Sequence, residues 1–115
     1  MNTILTNNEK LNLLLPGLER RIRESFGSKV KQIILYGSYA RGDYDSESDV
    51  DIMVVVDDEN LSYYRKLRNE IVSDLFGETG FLFSITIDNL KIFSEYQEVI
   101  PFYSNVVGEG KIIYG

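Results

Sequence analysis

The chain contains no cysteine and no histidine. Without cysteine there is no disulfide and no thiolate metal site, a usage that fits a reducing compartment. The missing histidine excludes more. It removes the commonest general base and the commonest transition-metal ligand. Any metal must then be held by oxygen, which favours Mg²⁺, Mn²⁺ or Ca²⁺ over zinc. No run approaches the ~20 apolar residues of a membrane span. Met1 to Thr6 also lacks the basic and apolar regions of a signal peptide, so a cytoplasmic protein with no membrane contact is expected. Positive charge is scarce as well: twelve basic against eighteen acidic side chains give a formal net charge of −6. Nucleic-acid binders need a basic face. The basic clusters here, Arg20, Arg21 and Arg23 and then Arg65, Lys66 and Arg68, fall on helical patterns and read as solvated helix faces. Direct nucleic-acid binding is not expected, whereas an acidic chain suits a basic protein partner.

The 115 residues suit one domain, 1–115, and are enough to bury roughly two-thirds of the unfolded surface. Leu11, Leu14, Leu15, Leu18, Ile22 and Phe26 make an apolar stripe at helical spacing. Thr6 with Glu9 matches a capping box, Pro16 either kinks this helix or marks its first turn, and Gly27 is a stop. Val30 to Tyr36 and Val50 to Val56 predict buried strands, with a short helical turn through Arg41 and a polar loop from Gly42 to Ser48 between them. Leu61, Tyr64, Leu67, Ile71, Val72 and Leu75 predict a helix ended by Gly77. Phe81 to Ile87 predicts a third strand, with Ser84 and Thr86 on one face. Asp88 and Asn89 then cap a short helix towards Tyr96, Pro101 opens a last helix or turn, and Lys111 to Tyr114 adds a small strand. The expected class is α/β (α+β), a small mixed sheet flanked by helices.

The chemistry concentrates between the first two strands. Gly37-Ser38 follows the first, and Asp49-Val50-Asp51 opens the second after ten intervening residues. Asp49 and Asp51 are two apart on extended chain, so they project to one face with Cα atoms about 6.5–7 Å apart. Unpaired, they repel. A hard cation resolves that conflict, and Mg²⁺ commonly takes one or two carboxylates plus substrate phosphates. Gly37 lets backbone approach a ligand, Ser38 offers a hydroxyl and an N–H, and Arg41 lies one turn on, within reach of the same phosphates. Gly-Ser after a strand is by itself an ordinary turn, and Asp-x-Asp at a strand edge is by itself a solvated pair. Their combination and the flanking strands are what point to a triphosphate and its metal. Asp43, Asp45 and Glu47 alternate like Ca²⁺-loop ligands, but the EF-hand glycine, glutamate and flanking helices are missing, and they read as solvated loop charges.

These residues resemble the minimal nucleotidyltransferase (MNT) family of the DNA polymerase β-like superfamily. Gly37, Ser38, Asp49 and Asp51 match its central motif, and Leu35-Tyr36-Gly37-Ser38-Tyr39-Ala40-Arg41-Gly42 matches its usual wording. Pro101 to Asn105 and Glu109-Gly110 resemble small bacterial members. The resemblance implies a polymerase β-like palm fold that binds ATP with Mg²⁺ (or Mn²⁺). Asp49 and Asp51 hold the metal as catalytic residues, Gly37, Ser38 and Arg41 bind phosphate, and a nucleotidyl group passes to a hydroxyl as pyrophosphate leaves. The superfamily also carries a third carboxylate on a neighbouring strand. The expected strand Phe81 to Ile87 contains no acid; Ser84 or Thr86 takes the place, with Asp88 just beyond as a substitute or a helix cap.

Small MNT members resemble antitoxins paired with a helical HEPN ribonuclease toxin, on which they adenylylate a tyrosine. The motif and its fold use most of the 115 residues, so the acceptor surface is expected from a partner. The expected function is therefore AMP transfer from ATP to a protein hydroxyl. Two alternatives stand beside it: an antitoxin that acts by direct binding with a weak or inactive site, and a small-molecule nucleotidyltransferase completed by a helical partner. Tyr63, Tyr64, Tyr96, Phe102 and Tyr103 are candidate interface anchors, although core packing accounts for most of them, and the sequence is compatible with a homo-oligomer.

Overall fold

The computed structural model describes residues 4–115. Two central strands carry the architecture, β1 (Val30–Tyr36) and β2 (Val50–Val56), paired antiparallel with Tyr36 opposite Asp51. Every residue of β2 except Asp51 is buried, because it is covered on both faces, and that explains its unbroken apolar run. Val50, Ile52, Val54 and Val56 join one core with Leu11, Leu15, Leu18 and Ile22 of α1 (Glu9–Phe26) and Ile71 and Leu75 of α3 (Ser62–Thr79). Met53 and Val55 join a second, smaller core with Ile34, Phe93 of α4 (Leu90–Tyr96), and Tyr103 and Val106 of α5 (Pro101–Glu109). One helical turn, α2 (Ser38–Arg41), follows β1 directly.

The sheet is mixed, in the order β3-β2-β1-β4. The outer strand β3 (Phe83–Asn89) runs parallel to β2, and the short outer strand β4 (Lys111–Tyr114) runs antiparallel to β1. This is the expected α/β class with helices on both faces.

Four local expectations are corrected. The capping box does not form. Asn8 caps α1, its side chain accepting the Leu11 N–H (2.9 Å), while Thr6 Oγ1 accepts the Asn8 N–H and lies 2.8 Å from Asn12 Oδ1. Pro16 does not mark the first turn: α1 begins at Glu9 and continues through it to Phe26. Gly77 does not stop α3, which runs on to Thr79 and closes at Gly80, a left-handed residue whose N–H returns to the Phe76 carbonyl. Most consequential, β3 spans Phe83–Asn89 rather than 81–87, because its register with β2 extends to Val56 opposite Asn89. Asp88 is therefore a strand residue, and Asn89 alone caps α4 by accepting the Ile92 N–H (3.1 Å).

Both basic clusters are engaged in structure. Arg21 pairs with Asp74 and Glu78, and Arg23 pairs with Glu19 and lies 4.0 Å over the Tyr114 ring. Arg68 donates to the Ile85 carbonyl (3.2 Å). Among the described residues no helix is long and apolar enough to cross a membrane.

Candidate active site

Where β1 ends, the chain must turn sharply into α2 while passing the start of β2. Gly37 makes that turn at φ 74°, ψ −157°, a region essentially reserved for glycine. Its bare Cα is also a contact surface, since a Cβ built there would lie 2.1 Å from Asp51 Oδ2 and 3.0 Å from its Cγ. The Gly-Ser turn and the second aspartate are thus in direct contact, across the cross-strand pair Tyr36–Asp51. Asp49 is exposed one residue before β2, and Ser38, at the first position of α2, is half-buried. Stacking of Tyr39 on Tyr44 (ring centroids 4.1 Å apart) ties α2 to the loop that leads to Asp49.

Asp51 is half-buried, and that burial, reinforced by the charge of Asp49, raises its carboxyl above the usual carboxylate range; Arg41 opposes the shift and Glu109 adds to it. No hydrogen bond contributes to the balance. A half-buried carboxylate that repels its neighbour and has no donor of its own is an unfavourable arrangement in the free protein. The donor set, two hard carboxylates close enough for the charge of one to act on the other, fits a hard divalent cation with substrate phosphates completing its shell.

Arg41 is held from two sides. Its Nε donates to Asp43 Oδ2 (3.1 Å) and its Nη1 to Glu109 Oε2 (2.9 Å). The other Glu109 oxygen, Oε1, accepts the Gly37 N–H (3.1 Å). Glu109 is not among the residues that the sequence assigns to the site: it lies 72 residues beyond Gly37, and its resemblance to small family members carries no role for it. The available signal was an isolated acid followed by glycine between a helix and a strand. Of the three loop acids, Asp43 serves Arg41, and Asp45 builds the turn by accepting the Glu47 N–H (2.8 Å). Glu47 is exposed.

The three candidates for the third position separate along β3. Ser84 stands in register with Asp51 and is exposed. Thr86 lies two residues on, its Oγ1 3.2 Å from the Tyr36 hydroxyl. Asp88 is four residues beyond Ser84, about 13 Å along the strand, too far to join the aspartate pair. It accepts the Tyr103 hydroxyl on Oδ1 (2.8 Å), while Oδ2 is buried without a partner. Burial raises its carboxyl above the usual range, partly offset by the Tyr103 hydrogen bond and the charge of Arg65. The substitution of Asp88 for the third carboxylate is corrected accordingly. Among the described residues no group of three acids is placed to hold a metal ion.

A sequence profile described as "Nucleotidyltransferase domain" matches residues 16–104, which include all of this geometry except Glu109. The chain belongs to the nucleotidyltransferase domain family. The nucleotidyltransferase is 31% identical over 93 residues to "Putative protein adenylyltransferase MJ0604" of Methanocaldococcus jannaschii, covering 81% of this chain and 87% of that one. A second chain of that organism, "Putative protein adenylyltransferase MJ1305", is 30% identical over 107 residues, covering 90% and 71%. Two solved structures share the fold. One is a toxin–antitoxin with AMP-PNP (TM-score 0.60, 24% identity, 88% of this chain and 73% of that one). The other is a tri-AMPylated Shewanella oneidensis HEPN toxin in complex with MNT antitoxin (TM-score 0.57, 22% identity, 90% and 71%).

Proposed function

We propose that residues 1–115 act as a single cytoplasmic nucleotidyltransferase domain that moves AMP from ATP to a hydroxyl of a protein partner, a tyrosine of a HEPN-type toxin. The observation that carries this reading is the contact between Gly37 and the Asp51 carboxylate. It puts the phosphate-binding turn and the unpaired acid at one point, as a triphosphate with its cation requires. The curated relatives named as protein adenylyltransferases support the activity, and the solved MNT–HEPN complex supports the partner class.

Asp49 and Asp51 would hold Mg²⁺ or Mn²⁺, whose charge lowers the cost of the developing negative charge on the attacking and leaving oxygens. The chain's own groups do the positioning. Ser38 presents its hydroxyl and N–H to the phosphates, and Arg41 neutralises their charge. In the transfer, the acceptor oxygen bonds the α-phosphorus and gives up its proton to solvent water, the bond from that phosphorus to the β-phosphate oxygen breaks, and pyrophosphate departs.

The test is labelling of the co-expressed partner with α-³²P-ATP. Wild type with Mg²⁺ labels it, and Asp49→Asn with Asp51→Asn abolishes labelling while the fold is retained. Among the described residues no three-acid cluster forms, which favours a second reading, an antitoxin that neutralises by contact. Full neutralisation in cells by the double variant would select it. Labelling of a small molecule in place of the protein would select a small-molecule enzyme completed by its partner.

A further inference from the structure

One carboxylate bridges the two groups that the functional reading assigns to phosphate. The geometry points to Glu109 as the positioning residue of the phosphate-binding turn, holding the Gly37 peptide with one oxygen and the Arg41 guanidinium with the other. This inference rests on the nucleotide-binding reading of Gly37, Ser38 and Arg41.

Three observations carry it. First, both bonds are well formed, at 3.1 Å to Gly37 N–H and 2.9 Å to Arg41 Nη1, and the Glu109 side chain is only 24% exposed. Gly37 is buried, so its N–H has little other recourse than this acceptor. It belongs to the residue whose unusual backbone lets Asp51 approach, so the acceptor that fixes the peptide also fixes the contact.

Second, the clamp leaves Arg41 free to work. A guanidinium has five N–H donors. Glu109 and Asp43 engage one on Nη1 and the one on Nε, so both Nη2 donors and the second on Nη1 stay available. The arginine side chain is 46% exposed, so those donors can meet a ligand. Two carboxylates bound to separate nitrogens of the guanidinium orient the rest of it, as outer groups orient metal ligands.

Third, the position of Glu109 is rigidly determined. It is the last residue of α5, and Gly110 follows at a point where a Cβ would lie 2.3 Å from the Val106 carbonyl oxygen and 2.7 Å from Ile34 Cγ2. Only glycine lets α5 turn into β4 this close to β1. Val106 beneath it is fully buried in the second core. The end of α5 is thereby anchored against the sheet at the end where Gly37 begins.

The test uses the full chain with Glu109→Ala and Glu109→Gln, read by amide hydrogen exchange at Gly37 and by calorimetric affinity for Mg²⁺-AMP-PNP. Glu109→Ala should accelerate Gly37 exchange and weaken nucleotide binding by about tenfold or more, the usual effect of losing an outer-shell partner. Glu109→Gln keeps a carbonyl oxygen for the Gly37 N–H, so it should restore most of the exchange protection and only part of the affinity. Unchanged or tighter binding by Glu109→Ala would overturn the inference, since the carboxylate would then be competing with phosphate. A wild-type chain that binds no nucleotide would refute the functional reading instead. In that case Gly37 exchange still decides the inference: faster exchange in Glu109→Ala upholds the clamp, and unchanged exchange overturns it.

Discussion

Alanine at position 37 adds one methyl group to the most constrained point of the site. Two costs follow from the geometry. The backbone at φ 74°, ψ −157° suits glycine alone, and holding another residue there costs about 1–3 kcal/mol. The new Cβ would also stand 2.1 Å from Asp51 Oδ2, 3.0 Å from Cγ and 3.2 Å from Cβ. Rotation of the carboxylate relieves the first contact but not the last, and it carries the acid away from Asp49. Overpacking of this kind costs about 1–3 kcal/mol, so Gly37→Ala should lose roughly 2–6 kcal/mol of a folding free energy of about 5–15 kcal/mol. Asp51→Ala removes the carboxylate and with it most of the clash. In that background Gly37→Ala should cost only the backbone term, about 1–3 kcal/mol. Urea unfolding of the four proteins closes the cycle, with an expected coupling of about 1 kcal/mol or more between the two sites. Additivity within about 0.5 kcal/mol would refute the argument that Gly37 exists to admit this carboxylate. So would a Gly37→Ala protein as stable as wild type.

Two further outcomes follow. Asp51 has its carboxyl raised by burial and by Asp49, so the folded state holds its proton more tightly than the unfolded chain does. Its penalty is absent below the unfolded value of about 3.9 and grows as pH rises through the elevated folded one. Asp51→Asn should therefore melt higher than wild type in metal-free buffer at neutral pH, by the ~0.5–2 kcal/mol typical of relieving a functional strain, and should lose stabilisation by Mg²⁺; a lower melting point would contradict this account. Tyr103→Phe removes the one hydrogen bond to Asp88, whose second oxygen is already unpartnered. It should cost about 1–3 kcal/mol in urea titrations at neutral pH and less at acid pH, because burial makes the Asp88 carboxyl take up its proton more readily than an ordinary carboxylate. Equal losses at both pH values would show that the charge on Asp88 is not what Tyr103 offsets.

The parts of the site that lie close in sequence were legible, because local pattern and local geometry agree there. The apolar run of β2 broken by Asp51 signals a central strand with one functional position, and the structure buries every other residue of it. Gly37 before α2 reads as a turn, and its φ requires one. What failed depended on register or distance. The alternation Ser84, Thr86, Asp88 fits a strand, but Asp88-Asn89 also fits a helix cap, and only pairing with β2 to Asn89 decides between them. Glu109 reaches Gly37 because Phe93, Tyr103 and Val106 pack α4 and α5 on the face that carries Asp51. That is a tertiary event with no local signature. Gly77 reads as the stop for α3, but Gly80, whose N–H returns to Phe76, closes it.

The structure also bears on which hydroxyl such a site can use. There is no histidine, and the one acid on β3 is turned to Tyr103 about 13 Å along the strand from Ser84. Among the described residues the other carboxylates at the site, Glu109 and Asp43, are engaged by Gly37 and Arg41, and Ser84, in register with Asp51, offers only a weak hydroxyl. On the proposed function, the acceptor is expected to bring its own acidity. A phenol ionises near pH 10, whereas water, and by analogy an aliphatic alcohol, sits near ~15.7. The gap is several powers of ten in the fraction of reactive oxyanion at neutral pH. The proposed transfer is therefore expected to favour a tyrosine acceptor over serine or threonine.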